Sequence, residues 1–336
     1  MTDITRREFV KVGAASAAAL AIGAARSDAA PAMPERPLGK TGYKVRIFSL
    51  GGQAAIETAG MHDESIAIIN RAIDLGVNYI DTAAAYGRDN KVTPRWEANG
   101  ISQTNVGEVM KTRRKEVFLA SKTDDRTRDG SLKLLEQSLK LLNTDHLDLW
   151  QLHNISQMGQ VEQIFGPGGA IEALTRARDE RKVRFLGISG HADPAVLMEM
   201  IRRFPFDTVL MALNAADRHQ RPFVPELLPL AVERQMGIIG MKIPARDRLF
   251  KPDGITSIKG PMTYVLTLPV STVIIGCKTV KQLEENVEIA RTFTPMPAAE
   301  MAKLEATTST IVPDALWFRK DAKGFGMGTE DDQNTD

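Results

Sequence analysis

Short apolar runs alternate with longer amphipathic stretches along most of the chain. The runs at 45–50, 78–81, 117–121, 147–152, 184–189, 208–213, 237–241 and 272–275 predict strands. The stretches at 62–75, 102–112, 130–142, 168–181, 193–203, 224–235, 258–268 and 279–291 predict helices. Their apolar residues recur at helical spacing, as Ile66, Ile69, Ala72 and Ile73 do. The strand runs are apolar almost throughout, as expected of parallel strands covered on both faces. Strict alternation of strand and helix implies parallel βαβ units. A run of eight such units over about 250 residues favours an α/β fold closed as a (β/α)8 TIM barrel. The rival, a doubly wound sheet, carries G-x-G-x-x-G after its first strand. Here that turn reads Leu50-Gly51-Gly52-Gln53-Ala54-Ala55, which lacks the fingerprint.

Segments outside this alternation are of a different kind. Residues 36–44 are polar and punctuated by Gly39 and Gly42, which predicts an N-terminal lead-in hairpin. Residues 87–101 form a long loop rich in Arg, Asn, Pro and Gly, and a loop of that length is either functional or floppy. Within it Trp96 either walls a pocket or anchors packing. The glycines at 166–169 lack the lysine and preceding strand of a phosphate loop and are expected to open a helix. The charged run at 178–182 reads as a solvated helix end. Residues 320–336 are glycine-rich and then acidic, the composition of a disordered tail.

Composition narrows the function. The chain has 336 residues, 43% hydrophobic and 25% charged, with a formal net charge of +1. That balance suits one large soluble domain, expected over 31–319, and gives no reason to expect nucleic acid or an anionic membrane as partner. A single cysteine, Cys277, rules out an internal disulfide framework and reads as a small buried or loop residue. The five histidines show no H-x-x-H or H-E-x-x-H spacing, so no metal site is expected.

The N-terminus changes the picture of location. Arg6-Arg7 precedes an apolar, alanine-rich run at 12–25, shorter than the roughly 20 apolar residues of a membrane span. The twin arginine, the apolar core and the small residues that follow match a twin-arginine signal peptide over 1–30, cleaved between Ala25 and Ala30. The expected partner is then the twin-arginine export machinery. The expected location is the periplasm, with no stable membrane span after processing. An uncleaved amphipathic helix is the alternative. Because that route carries folded proteins, a cofactor can be loaded before export.

Catalytic side chains of a barrel sit where strands end, at its C-terminal face. The second run ends in Asp81, with Tyr86 five residues on; the third ends near Lys122; the fourth ends near His153. These groups suit reduction of a carbonyl by hydride. The oxygen becomes an alkoxide and needs a proton. Tyrosine, with a pKa of about 10, holds one at neutrality. A neighbouring ammonium from Lys122 is expected to lower that pKa and ease donation. Asp81 would pair with Lys122, and His153 would orient the carbonyl oxygen. Each residue alone has a plainer reading, as a turn cap, a loop aromatic, a strand-end lysine or a structural histidine. It is the ordered set on three successive strands that points to chemistry.

The stretches Tyr79 to Gly87, Val117 to Lys122 and Asp148 to His153 resemble the signatures of the aldo-keto reductases. The similarity runs from about Arg36 to about Phe293 and includes Gly187-Ile188-Ser189-Gly190 and Ile275 to Asn286. The resemblance implies the barrel, a catalytic tetrad of Asp81, Tyr86, Lys122 and His153, and NADP as cofactor, with NAD also admitted. It implies that Ser189 holds the nicotinamide carboxamide and that Met241 and Lys242 lie beside the ring. It places Gly276, Lys278, Thr279 and Gln282 in the loop that holds the adenosine phosphate, and Glu285 and Asn286 at the adenine. The chain departs from the family pattern at several positions. Gly190 and His191 follow the serine where asparagine is common, Leu210 and Met211 stand where a glutamine is expected, and Met241 replaces an aromatic. Gln282 replaces the arginine that pairs with the 2′-phosphate, leaving Lys278 and Lys281 as point charges.

The leading expectation is therefore a reductase of aldehydes or ketones with a small-molecule carbonyl substrate. A second is a catalytically weak nucleotide sensor or partner-binding subunit on the same barrel. A third, a barrel hydrolase, needs a metal cluster or a carboxylate pair at the rim, and the sequence offers neither.

Overall fold

A computed structural model describes residues 31–319, apart from 90 and 93. The export-signal and tail expectations, on 1–30 and 320–336, fall outside the described residues. The chain enters through a hairpin of β1 (Glu35–Pro37) and β2 (Lys44–Arg46). Eight strands then form a closed parallel barrel: β3 (Phe48–Gly51), β4 (Tyr79–Asp81), β5 (Phe118–Thr123), β6 (Leu147–Leu152), β7 (Val183–Gly190), β8 (Thr208–Ala212), β9 (Gly237–Met241) and β10 (Thr272–Ile275). The ring closes where β10 pairs with β3.

The run at 45–50 is two strands rather than one. Ile47 marks the step: its N–H goes back to Pro34 O while its carbonyl accepts from Val273 N in the barrel. The chain thus leaves an antiparallel pair and joins a parallel one within one residue.

A helix follows each barrel strand: α1 (His62–Asp74), α2 (Ile101–Arg113), α3 (Arg128–Leu141), α4 (Met158–Phe165) with α5 (Ala170–Asp179), α6 (Pro194–Arg203), α7 (Phe223–Glu233), α8 (Lys259–Thr267) and α9 (Val280–Arg291). Side chains fix several starts. Thr127 Oγ1 accepts from Gly130 N at 3.1 Å, Asp193 from Ala195 N at 2.9 Å with Pro194 in the first turn, and Thr279 from Gln282 N at 3.1 Å. Gly169 opens α5 as expected. Helices α4, α10 (Ala298–Thr307) and α11 (Val312–Ala315) are additions to the sequence reading.

Odd-numbered side chains of β4, β6, β7 and β9 point inward, as do even-numbered ones of β5, β8 and β10. Tyr79, Phe118, Ala120, Leu149, Leu210, Ile239 and Ile274 pack together inside the lower barrel. Leu38 and Val45 of the hairpin join them and close that end. Gly39 allows the closure: at φ +54° it lies so close to the β9 start that a Cβ would sit 2.2 Å from Gly237 N. The larger core lies between barrel and helices.

At the other end, Leu316, Trp317 and Phe318 pack on Ala212, Ala216, Ala245 and Leu249. Arg319, fully buried, pairs with buried Asp217 and donates to Asp217 O at 3.0 Å. Asp217 also accepts from Phe223 N and Val224 N at the start of α7. This C-terminal stretch therefore covers the rim beside β8 and β9. Among the described residues no helix is long and apolar enough to cross a membrane, and no group of His, Cys, Asp and Glu is placed to hold a metal.

Candidate active site

The inward register carries Asp81, Lys122, Gln151 and His153 from β4, β5 and β6 to the upper barrel, above the apolar plug. Asp81 and Lys122 are fully buried and form a short ion pair. Lys122 Nζ also donates to Thr82 O at 2.9 Å and to Tyr86 Oη at 3.2 Å. Gln151 Nε2 donates to the other Asp81 oxygen at 3.1 Å. The Tyr86 and His153 rings meet edge to face, with centroids 5.6 Å apart. All four residues read as a tetrad are thus in one site. Gln151 is an addition; it lies two residues before His153, on the same face of β6, which strand periodicity alone would have signalled.

Burial raises the Asp81 carboxyl from its ordinary value, against the pull of Lys122 and Gln151. Burial also opposes the Lys122 ammonium, but Asp81 and Tyr86 outweigh it and hold its pKa above the ordinary value. The lysine therefore keeps the proton of the pair. The expected downward pull of Lys122 on the Tyr86 pKa is present, but it does not set the net direction. Burial of the phenol is stronger, and the net direction is upward. Tyr86 is a phenol that keeps its proton at neutral pH. Burial, then the Lys122 charge, hold His153 well below the ordinary histidine range, so its imidazole is neutral.

The rest of the rim near this site is cationic. Arg88 makes two hydrogen bonds to Asp124, at 3.1 and 2.8 Å, and Arg95 reaches the same carboxylate at 3.3 Å. These contacts tie the loop after β4 to the rim, and a bridge between Arg88 and Gly100 closes the loop on itself. Trp96 lies under the Lys133 ammonium, 4.3 Å from ring centroid to Nζ, so it anchors the loop on α3. Arg126 Nη2 donates to His153 O at 2.7 Å and Asn154 O at 3.3 Å.

The remaining expected positions lie along β7 to β10. Ser189, at the inward end of β7, accepts from Asn154 N at 2.9 Å and donates to Leu152 O at 3.2 Å, which leaves one lone pair on its oxygen. At Gly190 a Cβ would be 2.7 Å from Ile155 O, so this backbone leaves no room for an asparagine side chain. Met241 is half-buried at the end of β9. Lys242 follows at φ +62°, its Nζ 5.3 Å from the Trp317 ring centre.

Beyond β10, a Cβ on Gly276 would be 2.9 Å from Gln53 O, so only glycine lets these strands' loops meet. Thr279 caps α9, Gln282 Oε1 accepts from Lys278 N at 2.7 Å, and Lys278 Nζ pairs with Asp247 at 2.9 Å. Val280 N donates to Glu64 Oε1 at 2.9 Å, so a carboxylate already faces the start of α9. Glu285 is exposed and 4.0 Å from Lys281. Asn286 is buried; its Nδ2 donates to Cys277 Sγ at 3.5 Å, while its Oδ1 has no donor. Burial pushes the Cys277 thiol up to about 12, consistent with a structural cysteine.

Comparison with known proteins agrees with this geometry. Residues 48–253 match the Aldo/keto reductase family. The chain is 26% identical over 304 residues to the uncharacterized oxidoreductase YqkF of Bacillus subtilis (strain 168), an alignment covering 77% of this chain and 91% of that protein. It is 25% identical over 287 residues to L-galactose dehydrogenase of Arabidopsis thaliana, covering 75% and 86%. Its fold superposes on an aldo-keto reductase from Klebsiella pneumoniae solved in complex with NADPH, with a TM-score of 0.66 at 22% identity, over 82% of this chain and 95% of that one.

Proposed function

The chain belongs to the aldo/keto reductase family, and from that premise we propose that it reduces an aldehyde or ketone to the alcohol, with Tyr86 as the proton donor and NADPH as the cofactor. The observation that carries the reading is the position of Lys122 Nζ, bonded at once to Asp81 and to Tyr86 Oη inside the barrel.

The residues along β7 to β10 fit a nicotinamide dinucleotide. The buried Asn286 Oδ1 lacks the donor that an adenine amine provides. The Lys278 and Lys281 ammoniums suit its phosphates, and with no arginine at Gln282 the site also admits NADH. Ser189, with one lone pair left, would accept from the carboxamide. Met241 and Lys242 flank the ring position, Gly276 and Thr279 shape the loop, and Glu285 stands beside Asn286. When bound, the nucleotide supplies the hydride.

The chain's own side chains handle the oxygen. The neutral His153 imidazole orients the carbonyl by a hydrogen bond. Tyr86, still protonated, donates as negative charge develops on the oxygen. Lys122 stabilises the phenolate left behind, and Asp81, held by Gln151, keeps the ammonium in place. We further propose that residues 1–30 are a twin-arginine signal directing a periplasmic protein of 31–319; the support is Arg6-Arg7 and the apolar run after it.

The test is oxidation of NADPH and of NADH, followed by absorbance, against a panel of aldehydes and ketones. Turnover with at least one carbonyl is expected. Nucleotide bound with no carbonyl reduced would favour the sensor reading; no binding of either nucleotide would remove the cofactor assignment.

A further inference from the structure

Arg126 lies in the loop that follows β5, the strand of Lys122. A guanidinium has five N–H donors. In Arg126 only Nη2 has partners, the His153 and Asn154 carbonyls. Nε and both hydrogens of Nη1 are buried with no acceptor. Buried donors left in this way are uncommon, because each forfeits its hydrogen bond to water. Arg126 has no ion pair at 4 Å among the described residues, whereas its neighbours Arg88 and Arg95 share Asp124. Asp125 is engaged with Thr127, accepting from its N–H at 2.8 Å and its hydroxyl. Burial brings the Arg126 pKa down to about 10, against the attraction of the Asp124 and Asp125 carboxylates, still far above neutrality. A fixed positive charge with three buried, unpartnered donors therefore stands against the backbone of the residue proposed to orient the carbonyl.

We propose that Arg126 binds a carboxylate of the substrate, so that the preferred substrates are carbonyl compounds that also carry a carboxylate group. This deepens the reductase reading and rests on it. Substrate charge would meet the guanidinium while the carbonyl oxygen meets Tyr86 and His153, fixing the orientation of the reacting group.

The experiment uses the full chain with NADPH and two aldehydes of matched length, succinic semialdehyde and butanal, with glyceraldehyde 3-phosphate as a third. The wild type is expected to favour the carboxylate aldehyde over butanal by about tenfold or more in kcat/KM, mostly through KM. Arg126→Gln should bring that ratio close to one, and Arg126→Lys should restore part of it. An unchanged ratio in Arg126→Gln, an equal fall for both aldehydes, or a preference for the phosphate compound alone would overturn the proposal. Calorimetry with succinate separates this failure from failure of the reductase reading. Binding that Arg126→Gln abolishes upholds the carboxylate site even if no aldehyde is reduced; equal binding to both proteins contradicts it.

Discussion

Lys122 Nζ touches Asp81, Thr82 O and Tyr86 Oη, and its charge is what ties the site together. Tyr86 sits above its ordinary pKa and His153 far below its own. Neither changes charge between about pH 6.5 and 10. The kcat for carbonyl reduction should accordingly stay level across that window; a fall centred at pH 7 to 8 would contradict the assignment. Gln151→Leu removes the only neutral side chain that donates to Asp81 among the described residues. A hydrogen bond to a charged group contributes about 1.5–3 kcal/mol, and urea unfolding should show a loss of that order. At this scale the sequence was informative about which residues meet, since strand-end position and residue type suffice. It was silent on the direction of the Tyr86 shift, which depends on how deeply the phenol is buried. It was equally silent on Arg126, whose open donors exist only once the loop has closed on His153.

The strands and most helices were legible because their apolar spacing reflects one covered face or two. The failures have local causes. Ile47 is apolar like its neighbours, so periodicity could not show that the chain changes partners there. Helix α4 is short and buries only Val161 and Ile164, too few positions to establish a period. Helix α10 buries no residue at all. The segment after it matters more than its pattern suggests, because Arg319 supplies the charge that buried Asp217 needs. Arg319→Ala leaves that carboxylate uncompensated. Breaking a buried pair costs about 3–5 kcal/mol, and a fall in Tm on the order of 10 °C is expected. A Tm within a degree or two of wild type would mean that the segment is not needed to hold the rim.

Residues 33–319 form a barrel plugged below by the hairpin and covered above, on one side, by the stretch 315–319. That cover has a consequence for acid stability. His191 packs edge to face on Phe318, and burial, aided by the Lys242 charge, brings its pKa down to about 3. The folded value lies below the unfolded one, near 6.5. Stability is then fully present above pH 6.5 and is lost as the pH falls from there toward 3, because the unfolded chain takes up the proton first. Urea midpoints measured from pH 7 to pH 4 should decline, and His191→Gln should decline less steeply. Barrel closure was legible from the alternation of elements; the cover was not, because its hydrogen bonds to the loop after β8 span about a hundred residues of sequence. In the reaction proposed above, these features surround one buried phenol that gives up one proton. The measurement that bears on it most directly is the kcat of Tyr86→Phe with NADPH and a carbonyl that the wild type reduces. Loss of about a hundredfold or more, with nucleotide affinity retained, is the expected result; turnover that survives the substitution would show that the proton comes from elsewhere.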